Sequence, residues 1–485
     1  MNRTSIFLTV AAALLILAVV MGFPKVATQP APPPPVPVVV APPPEPVVAP
    51  VPVPVPVANP GSLSLTGRLS HPYLVPGTSD VFATLEVSAV DVPGAKRAPV
   101  NLAVVIDRSG SMSGSKIENA RRAASKLVDL LDDQDRLSIV HYGTDVNSMG
   151  GVFCTPENKL KLKRYIANIS DEGGTNIGDG LAVGEKHIAR AATDFRVNRL
   201  LLLSDGQPTV GITTANGLSN VVRAIRNRGV SVTSLGVGAD FNEDLMQKLA
   251  DVGGGSYGFI SDRDPSAMAT LFQRDLEQAG TMVARTVQLS FDLPAGVRFV
   301  EVYGRPVSQV GNKVIISMPD FSARQVEKLV VHMTASPSVT SGSIDIASFQ
   351  LAYTDLLTEK PADARLSLAA MVTEDRTLAM NNRDKTATVA AGKARAAMNY
   401  QKAAVALDNG NWADANKALK DNEQIFFEAD AVAGEGSMAE ERQTNTGMFG
   451  LSTAAPSAPA PARREAVKKM KTESLRSSGR GDSVY

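Results

Sequence analysis

Three short segments of the sequence carry oxygen-bearing side chains at spacings that suit a metal ion. Asp107, Ser109 and Ser111 alternate with other residues, so a tight loop can turn all three oxygens to one side. Thr175 follows a pair of glycines, and Asp205 stands in a Ser-Asp-Gly run. Hydroxyl and carboxylate oxygens without His or Cys are the ligands of hard cations. The set predicts a site for Mg²⁺ in octahedral geometry at about 2.0–2.1 Å, with Mn²⁺ or Ca²⁺ as alternatives.

Each of these segments stands in a predicted α/β domain over residues 99–280. Residues 102–106 are an uninterrupted apolar run and residues 200–203 are four leucines, which is typical of strands buried on both faces. Segments such as residues 116–131 show helical spacing of apolar residues and alternate with further short strands. This alternation predicts a doubly wound, mainly parallel sheet that binds ligands beyond the carboxyl ends of its central strands.

The combined pattern resembles a known family. An Asp-x-Ser-x-Ser motif, a distant Thr175 and a distant Asp205-Gly pair are similar to the metal ion-dependent adhesion site of von Willebrand factor type A domains. The resemblance covers about residues 99–280 and is strongest to the bacterial and inter-alpha-trypsin-inhibitor-heavy-chain-like branch. It implies that Ser109, Ser111 and one of Thr175 or the aspartates bind the metal directly, with the others acting through water. The competing interpretation is a chance loop and an ordinary turn.

The resemblance also implies that one coordination position stays open for a carboxylate of a protein partner. Neutral hydroxyl ligands leave the ion much of its charge, so it can attract one more anionic oxygen from outside. We therefore expect a metal-dependent protein-binding or adhesion module that captures an acidic partner residue. A second hypothesis is an envelope scaffold or assembly factor in which the metal is structural.

Composition and rejected motifs argue against other classes of protein. The residues 254–258 fit a nucleophile elbow, but they follow a predicted helix and precede a strand, the reverse of the required order. We therefore expect no enzyme. A single Cys excludes an intramolecular disulfide framework. The 49 Lys and Arg residues balance 49 Asp and Glu residues, so no nucleic acid partner is expected.

Both ends of the chain are predicted to lie outside a globular core. Residues 1–23 contain an uncharged apolar run of 18 residues, Ile6 to Phe23, which fits an uncleaved signal anchor or a cleaved signal peptide. Residues 24–60 form a proline-rich linker that favours polyproline II. Residues 441–485 are expected to be a disordered, mildly cationic tail with an Arg480-Gly-Asp motif. The expected location is the cell envelope, anchored in a membrane and facing the periplasm or the cell exterior, or secretion if the signal is cleaved.

Segments with period-two alternation flank the α/β unit, over residues 61–98 and 281–358. They predict an antiparallel β-sandwich into which the α/β domain is inserted. The sandwich is either a platform that senses movement of a helix predicted over residues 265–279 or a plain spacer. Residues 362–430 are predicted to be helical, and their Gly410-x-Trp junction resembles one tetratricopeptide-type hairpin.

Overall fold

The computed structural model describes residues 61–93, 97–238, 241–260, 273–274, 276–278 and 280–479, with the side chains of residues 259 and 260 excepted. The predicted signal or anchor, the proline-rich linker, most of the predicted helix at 265–279 and the Arg480-Gly-Asp motif lie outside the described residues. None of the helices within these ranges has the length and apolar character needed to cross a membrane.

In the described residues, three strands precede the α/β unit and six strands form its sheet. The first three are β1 (Leu63–Leu69), β2 (Tyr73–Leu74) and β3 (Ser79–Ala89). The sheet contains β4 (Val100–Asp107), β5 (Arg136–Tyr142), β6 (Val146–Phe153), β7 (Val197–Ser204), β8 (Ser231–Val237) and β9 (Gly254–Ile260). Its order is β6-β5-β4-β7-β8-β9, and all neighbours are parallel except β6, which is antiparallel to β5. The predicted mainly parallel sheet is confirmed.

Helices cover both faces of this sheet. They are α1 (Ser115–Leu130), α2 (Pro156–Ala167), α3 (Ile177–Ala189), α4 (Ala215–Asn227) and α5 (Glu243–Gly253). Val104 and Ile106 of β4 pack in one apolar layer with α1 and α2, while Ala103 and Val105 pack in the other layer with α3, α4 and α5. Every residue of β4 and β7 is buried, which explains the uninterrupted apolar runs at residues 102–106 and 200–203.

Eight strands follow the α/β unit within residues 280–479. They are β10 (Met282–Asp292), β11 (Val297–Val302), β12 (Val307–Val310), β13 (Lys313–Ser317), β14 (Phe321–Ser322), β15 (Val326–Ala335), β16 (Gly342–Asp355) and β17 (Lys360–Val372). One sheet has the order β1-β3-β15-β11, and the other has the order β12-β13-β10-β16-β17-β2 with β14 beside β10. One shared apolar core fills the space between the two sheets. Because β3 pairs with β15 over ten residues, the chain leaves the sandwich after β3 and returns to it after the α/β unit.

The prediction that residues 362–430 are helical is wrong for its first part. Residues 360–372 form β17, which pairs antiparallel with β16 along its whole length. Ala364, Leu366, Leu368 and Ala370 are buried in the sandwich core and alternate with exposed or half-buried residues. This period-two pattern is that of a strand with one buried face, so the many alanines are a misleading helix signal here.

Five helices end the described chain. They are α6 (Arg376–Asn381), α7 (Lys385–Asp408), α8 (Trp412–Ala433), α9 (Ala439–Ala454) and α10 (Ala460–Ser477). The prediction of a disordered tail over residues 441–485 is therefore wrong as far as Ser477. Val467 and Met470 of α10 pack against Tyr400 of α7 and its neighbours, and Leu475 packs into the apolar layer above α4 and α5. The tail carries too few apolar residues to fold alone, but this surface provides the burial that it lacks.

Candidate metal site

The loop after β4 brings together the first three predicted ligands. Asp107 is the last residue of β4 and is fully buried. Its Oδ1 accepts a hydrogen bond of 2.9 Å from the backbone amide of Ser109, and the hydroxyls of Ser109 and Ser111 lie 3.0 Å apart. Ser109 is buried, whereas Ser111 is exposed. The loop therefore holds one carboxylate and two hydroxyls together, and its outer serine faces solvent.

The neighbouring strand β7 supplies the next carboxylate. Ser204 ends β7, and its hydroxyl donates a hydrogen bond of 2.6 Å to Oδ2 of Asp107. The same hydroxyl accepts a hydrogen bond from the amide of Gly206, whose φ of +67° favours glycine. Asp205, between these two residues, is buried. The tight turn therefore sets Asp205 beside Asp107, as expected where two parallel strands end at the same edge of a sheet.

The loop that carries Thr175 is bonded to the loop after β4. The amide of Gly110 donates to the carbonyl of Gly173 at 3.1 Å, and the amide of Glu172 donates to the carbonyl of Arg108 at 2.7 Å. Thr175 itself is buried, and its amide donates to the hydroxyl of Thr209 at 2.9 Å. These backbone contacts join the Thr175 loop to the loop that carries Asp107, so segments about 70 residues apart in the chain meet at this edge.

Both candidate aspartates are buried, and the charge of Asp205 acts on Asp107. Burial raises the pKa of Asp107 to about 6, hydrogen bonds from Ser109 and Ser204 oppose this shift, and the charge of Asp205 adds to it. Oδ1 of Asp205 is buried and has no hydrogen-bond partner within the described residues. Its Oδ2 lies 3.4 Å from Nζ of Lys116. Burying a carboxylate oxygen without a hydrogen-bond donor costs free energy, so an added positive charge would stabilise this site.

These residues fit a hard divalent cation. Among the described residues, no three His, Cys, Asp or Glu side chains cluster as a metal site, so an ion here would take hydroxyl as well as carboxylate oxygens. Two carboxylates and the paired serine hydroxyls are oxygen donors of the type that Mg²⁺ takes. Oδ1 of Asp205 accepts no hydrogen bond within the described residues, so its lone pairs are available to a metal ion.

Sequence reasoning did not assign roles to two residues that shape the site. Ser204 orients Asp107, and Lys116 of α1 partly balances the charge of Asp205. Ser204 directly precedes Asp205, so its position at the end of a predicted strand was an available signal. Lys116 had no local signal, because Asp205, the residue that it meets, lies 89 positions further along the chain.

Comparisons with known proteins agree with this architecture. The family model of the von Willebrand factor type A domain matches residues 101–274. Human inter-alpha-trypsin inhibitor heavy chain H4 is 33% identical over 182 residues, which cover 36% of this chain and 20% of that protein. The uncharacterized protein YfbK of Escherichia coli K12 is 30% identical over 220 residues, covering 44% of this chain and 37% of that protein. The chain thus spans well under half the length of these relatives.

Two solved structures share the fold over most of the chain. A von Willebrand factor type A protein from Catenulispora acidiphila superposes with a TM-score of 0.64 at 16% identity, covering 87% of this chain and 98% of that one. The ArnB paralog VWA2 from Sulfolobus acidocaldarius superposes with a TM-score of 0.54 at 20% identity, covering 85% and 99%. At these identities the likeness concerns the fold alone, and it extends well beyond the α/β unit.

Proposed function

Residues 101–274 are a von Willebrand factor type A domain, and from this premise we propose that the chain is a metal-dependent protein-binding or adhesion module. In this proposal Asp107, Ser109, Ser111, Thr175 and Asp205 hold one Mg²⁺ ion, or Mn²⁺ or Ca²⁺ in its place. The site then captures an acidic residue of a protein partner. The domain type is consistent with protein binding, and the donor set supports the metal.

One observation carries the proposal. Oδ1 of Asp205 is buried without a hydrogen-bond donor, next to the carboxylate of Asp107, whose pKa burial raises to about 6. Two adjacent buried carboxylates are costly unless a cation compensates them. Nζ of Lys116 lies 3.4 Å from Oδ2 of Asp205 and supplies a single positive charge. Oδ1 still has no hydrogen-bond donor among the described residues.

The partner is inferred from the charge of the site and from its exposed side. The two carboxylates balance a divalent ion and the remaining donors are neutral hydroxyls, so Lys116 beside Asp205 would leave the occupied site positively charged. Asp107, Ser109, Thr175 and Asp205 are buried, whereas Ser111 and the adjacent Gly110 are exposed. A partner can therefore approach along the Gly110–Ser111 side, and a carboxylate is the group best attracted there.

We place this module in the cell envelope, held by the apolar run of residues 6–23 or secreted if that run is a cleaved signal. We also infer that the chain acts by binding and not by catalysis. The residues 254–258 that fit a nucleophile elbow are the first five residues of β9 and directly follow α5, so they do not form the required strand-to-helix turn.

The alternative is an envelope scaffold in which the metal has a structural role. The contact between the α/β unit and the sandwich favours it, because Arg226 of α4 forms a buried ion pair with Asp320 between β13 and β14. Such an attachment would suit a rigid platform. Melting the full chain with and without Mg²⁺ separates the two functions, since a structural ion would account for a large part of the stability.

The experiment that tests the proposal combines metal binding with partner capture. Calorimetric titration of Mg²⁺ into the metal-depleted full chain should show one site, and Asp205→Ala should abolish it. Crosslinking on intact cells, with and without chelator and followed by mass spectrometry, should then identify partners that the chelator and Asp205→Ala both remove. Asp363→Ala, at an exposed aspartate of β17, is the control that should change neither result. Metal binding without any chelator-sensitive partner would favour the scaffold.

A further inference from the structure

A cavity of about 680 Å³ lies between the rim of the sandwich and the helices α6, α7 and α8. Residues from the β1–β2 connection, β2, β3 and β15 form one wall, and residues from the helical segment form the other. None of the five candidate metal ligands lines it. Its volume lies within the range of pockets that hold small organic ligands. We call this space the arginine cavity, after its residues Arg376, Arg383 and Arg395.

The arginine cavity carries more positive than negative charge. Arg395 is paired with Glu428 at 3.0 Å, and Asp80 is bonded to Nε2 of His332 at 2.8 Å. Those pairings use both acidic groups that line the cavity. Arg376 and Arg383 remain without an ion pair in the part of the chain that the structure describes. The cavity is therefore suited to an anion.

Arg383 is the residue that most clearly points to a ligand. Its Nε is buried and donates to no acceptor among the described residues. Burial lowers the pKa of this arginine, the charge of Glu428 opposes that shift, and the charge of Arg395 has a smaller effect in the same direction as burial. Burial, with an added effect from Arg383, also lowers the pKa of His71 to about 4, so this histidine is neutral at pH 7. A guanidinium that is half-buried, unpaired and close to a second arginine is in need of an acceptor.

Apolar and aromatic surface lies beside these charges. Val75 and Ala379, one from each wall, are half-buried, and Met380 of α6 is exposed at the rim. The ring of Phe82 stacks on His332 with centroids 4.5 Å apart, and the guanidinium of Arg395 lies 6.0 Å from its centroid. A ligand that meets both surfaces has an anionic group and an apolar body.

We propose that the arginine cavity binds a small organic anion, with a carboxylate or phosphate group on Arg383 and Arg376 and an apolar body against Val75, Ala379 and Met380. The planar guanidinium of an arginine can donate paired hydrogen bonds to a carboxylate or to a phosphate. The residues of the cavity therefore do not distinguish between these two groups. The proposal concerns a second site and does not depend on the metal site.

Calorimetric titration of the metal-depleted full chain tests this proposal with three probes of one size. Benzoate carries the carboxylate, phenyl phosphate carries the phosphate, and benzamide is the neutral analogue. We expect saturable binding of benzoate or phenyl phosphate below about 10 mM, and no binding of benzamide. Which anion binds more tightly identifies the anionic group. Binding should be unchanged in Asp107→Ala, which separates this site from the proposed metal site.

Arginine variants locate the binding. Arg383→Gln should weaken binding of the anion at least about tenfold. The substitution removes no hydrogen bond seen in the described residues, so the fold should be retained. Arg376→Gln, at an exposed position, should weaken binding less. Arg365→Gln, at an exposed arginine of β17, is the matched control. The proposal is overturned if neither anion binds by about 10 mM, if benzamide binds equally well, or if Arg383→Gln binds like the unmodified chain.

Discussion

Lys116 lies with its ammonium nitrogen 3.4 Å from Oδ2 of Asp205, on a carboxylate whose other oxygen is buried without a hydrogen-bond partner. Lys116 thus partly supplies the positive charge that the site needs. It does so from α1, the helix that follows the Ser109–Ser111 loop, so the same short stretch contributes hydroxyl ligands and a counter-charge.

Replacement of Lys116 by Met should destabilise the metal-free chain by about 2 kcal/mol, because it leaves two buried carboxylates uncompensated while keeping the apolar stem. Saturating Mg²⁺ should remove most of this loss if the ion binds where we propose. Urea denaturation with and without Mg²⁺ measures both effects. Lys126→Met, at an exposed position of α1, is the control. Equal stability of the two variants in metal-free buffer would contradict the compensating role of Lys116.

Asp107 should make the metal-free chain less stable as the pH rises. Its folded-state pKa, raised by burial to about 6, lies above the ordinary value of 3.8, so the folded chain favours the protonated form. Stability from this group is greatest at acid pH and is lost between about pH 4 and pH 6, by at most about 3 kcal/mol. Asp107→Asn, which does not titrate, should show a flatter profile of unfolding free energy from pH 4 to pH 7. Parallel profiles for the two chains would refute this assignment.

Asp320 should be essential for attaching the α/β domain to the sandwich. It accepts hydrogen bonds from Arg226 at 3.1 Å and from the amide of Thr286 at 2.9 Å, and both side chains of the ion pair are buried. Asp320→Ala leaves the arginine charge buried and uncompensated, and should lower the free energy of unfolding by about 3 kcal/mol. Asp363→Ala removes the exposed pair with Arg365 and should cost about 1 kcal/mol or less. If Asp320→Ala and Asp363→Ala unfold at the same denaturant concentration, the buried pair contributes nothing to stability and the prediction is wrong.

The final helix α10 should be protected from hydrogen exchange. Leu475 is buried against the α/β domain, and Lys471 lies 3.0 Å from Asp244 at the start of α5. Leu475→Ala should weaken this docking by about 2 kcal/mol and speed exchange of the α10 amides about 30-fold. Lys469→Ala, at a half-exposed position, should leave exchange unchanged. Exchange of the unmodified helix at the rate of an unstructured peptide would restore the original prediction of a disordered tail.

Local patterns were sufficient for the parallel sheet and for recognising the candidate site. The apolar runs that become β4 and β7 are buried on both faces, and a run of that type has few alternatives to a central parallel strand. The Asp107-x-Ser109-x-Ser111 spacing lies within one loop, so its hydroxyls meet through local geometry. Both features depend on residues that are close together in the chain.

The sequence by itself therefore determined the α/β domain, its flanking strands and the Asp-x-Ser-x-Ser loop. Only the tertiary structure decided that residues 360–372 are a strand, that residues 460–477 are a docked helix, and that Lys116 meets Asp205. The arginine cavity also belongs to this second group, because its walls come from segments about 300 residues apart. The reason is physical: an alanine-rich or weakly apolar segment takes its conformation from the surface that buries it, and that surface is formed by distant parts of the chain.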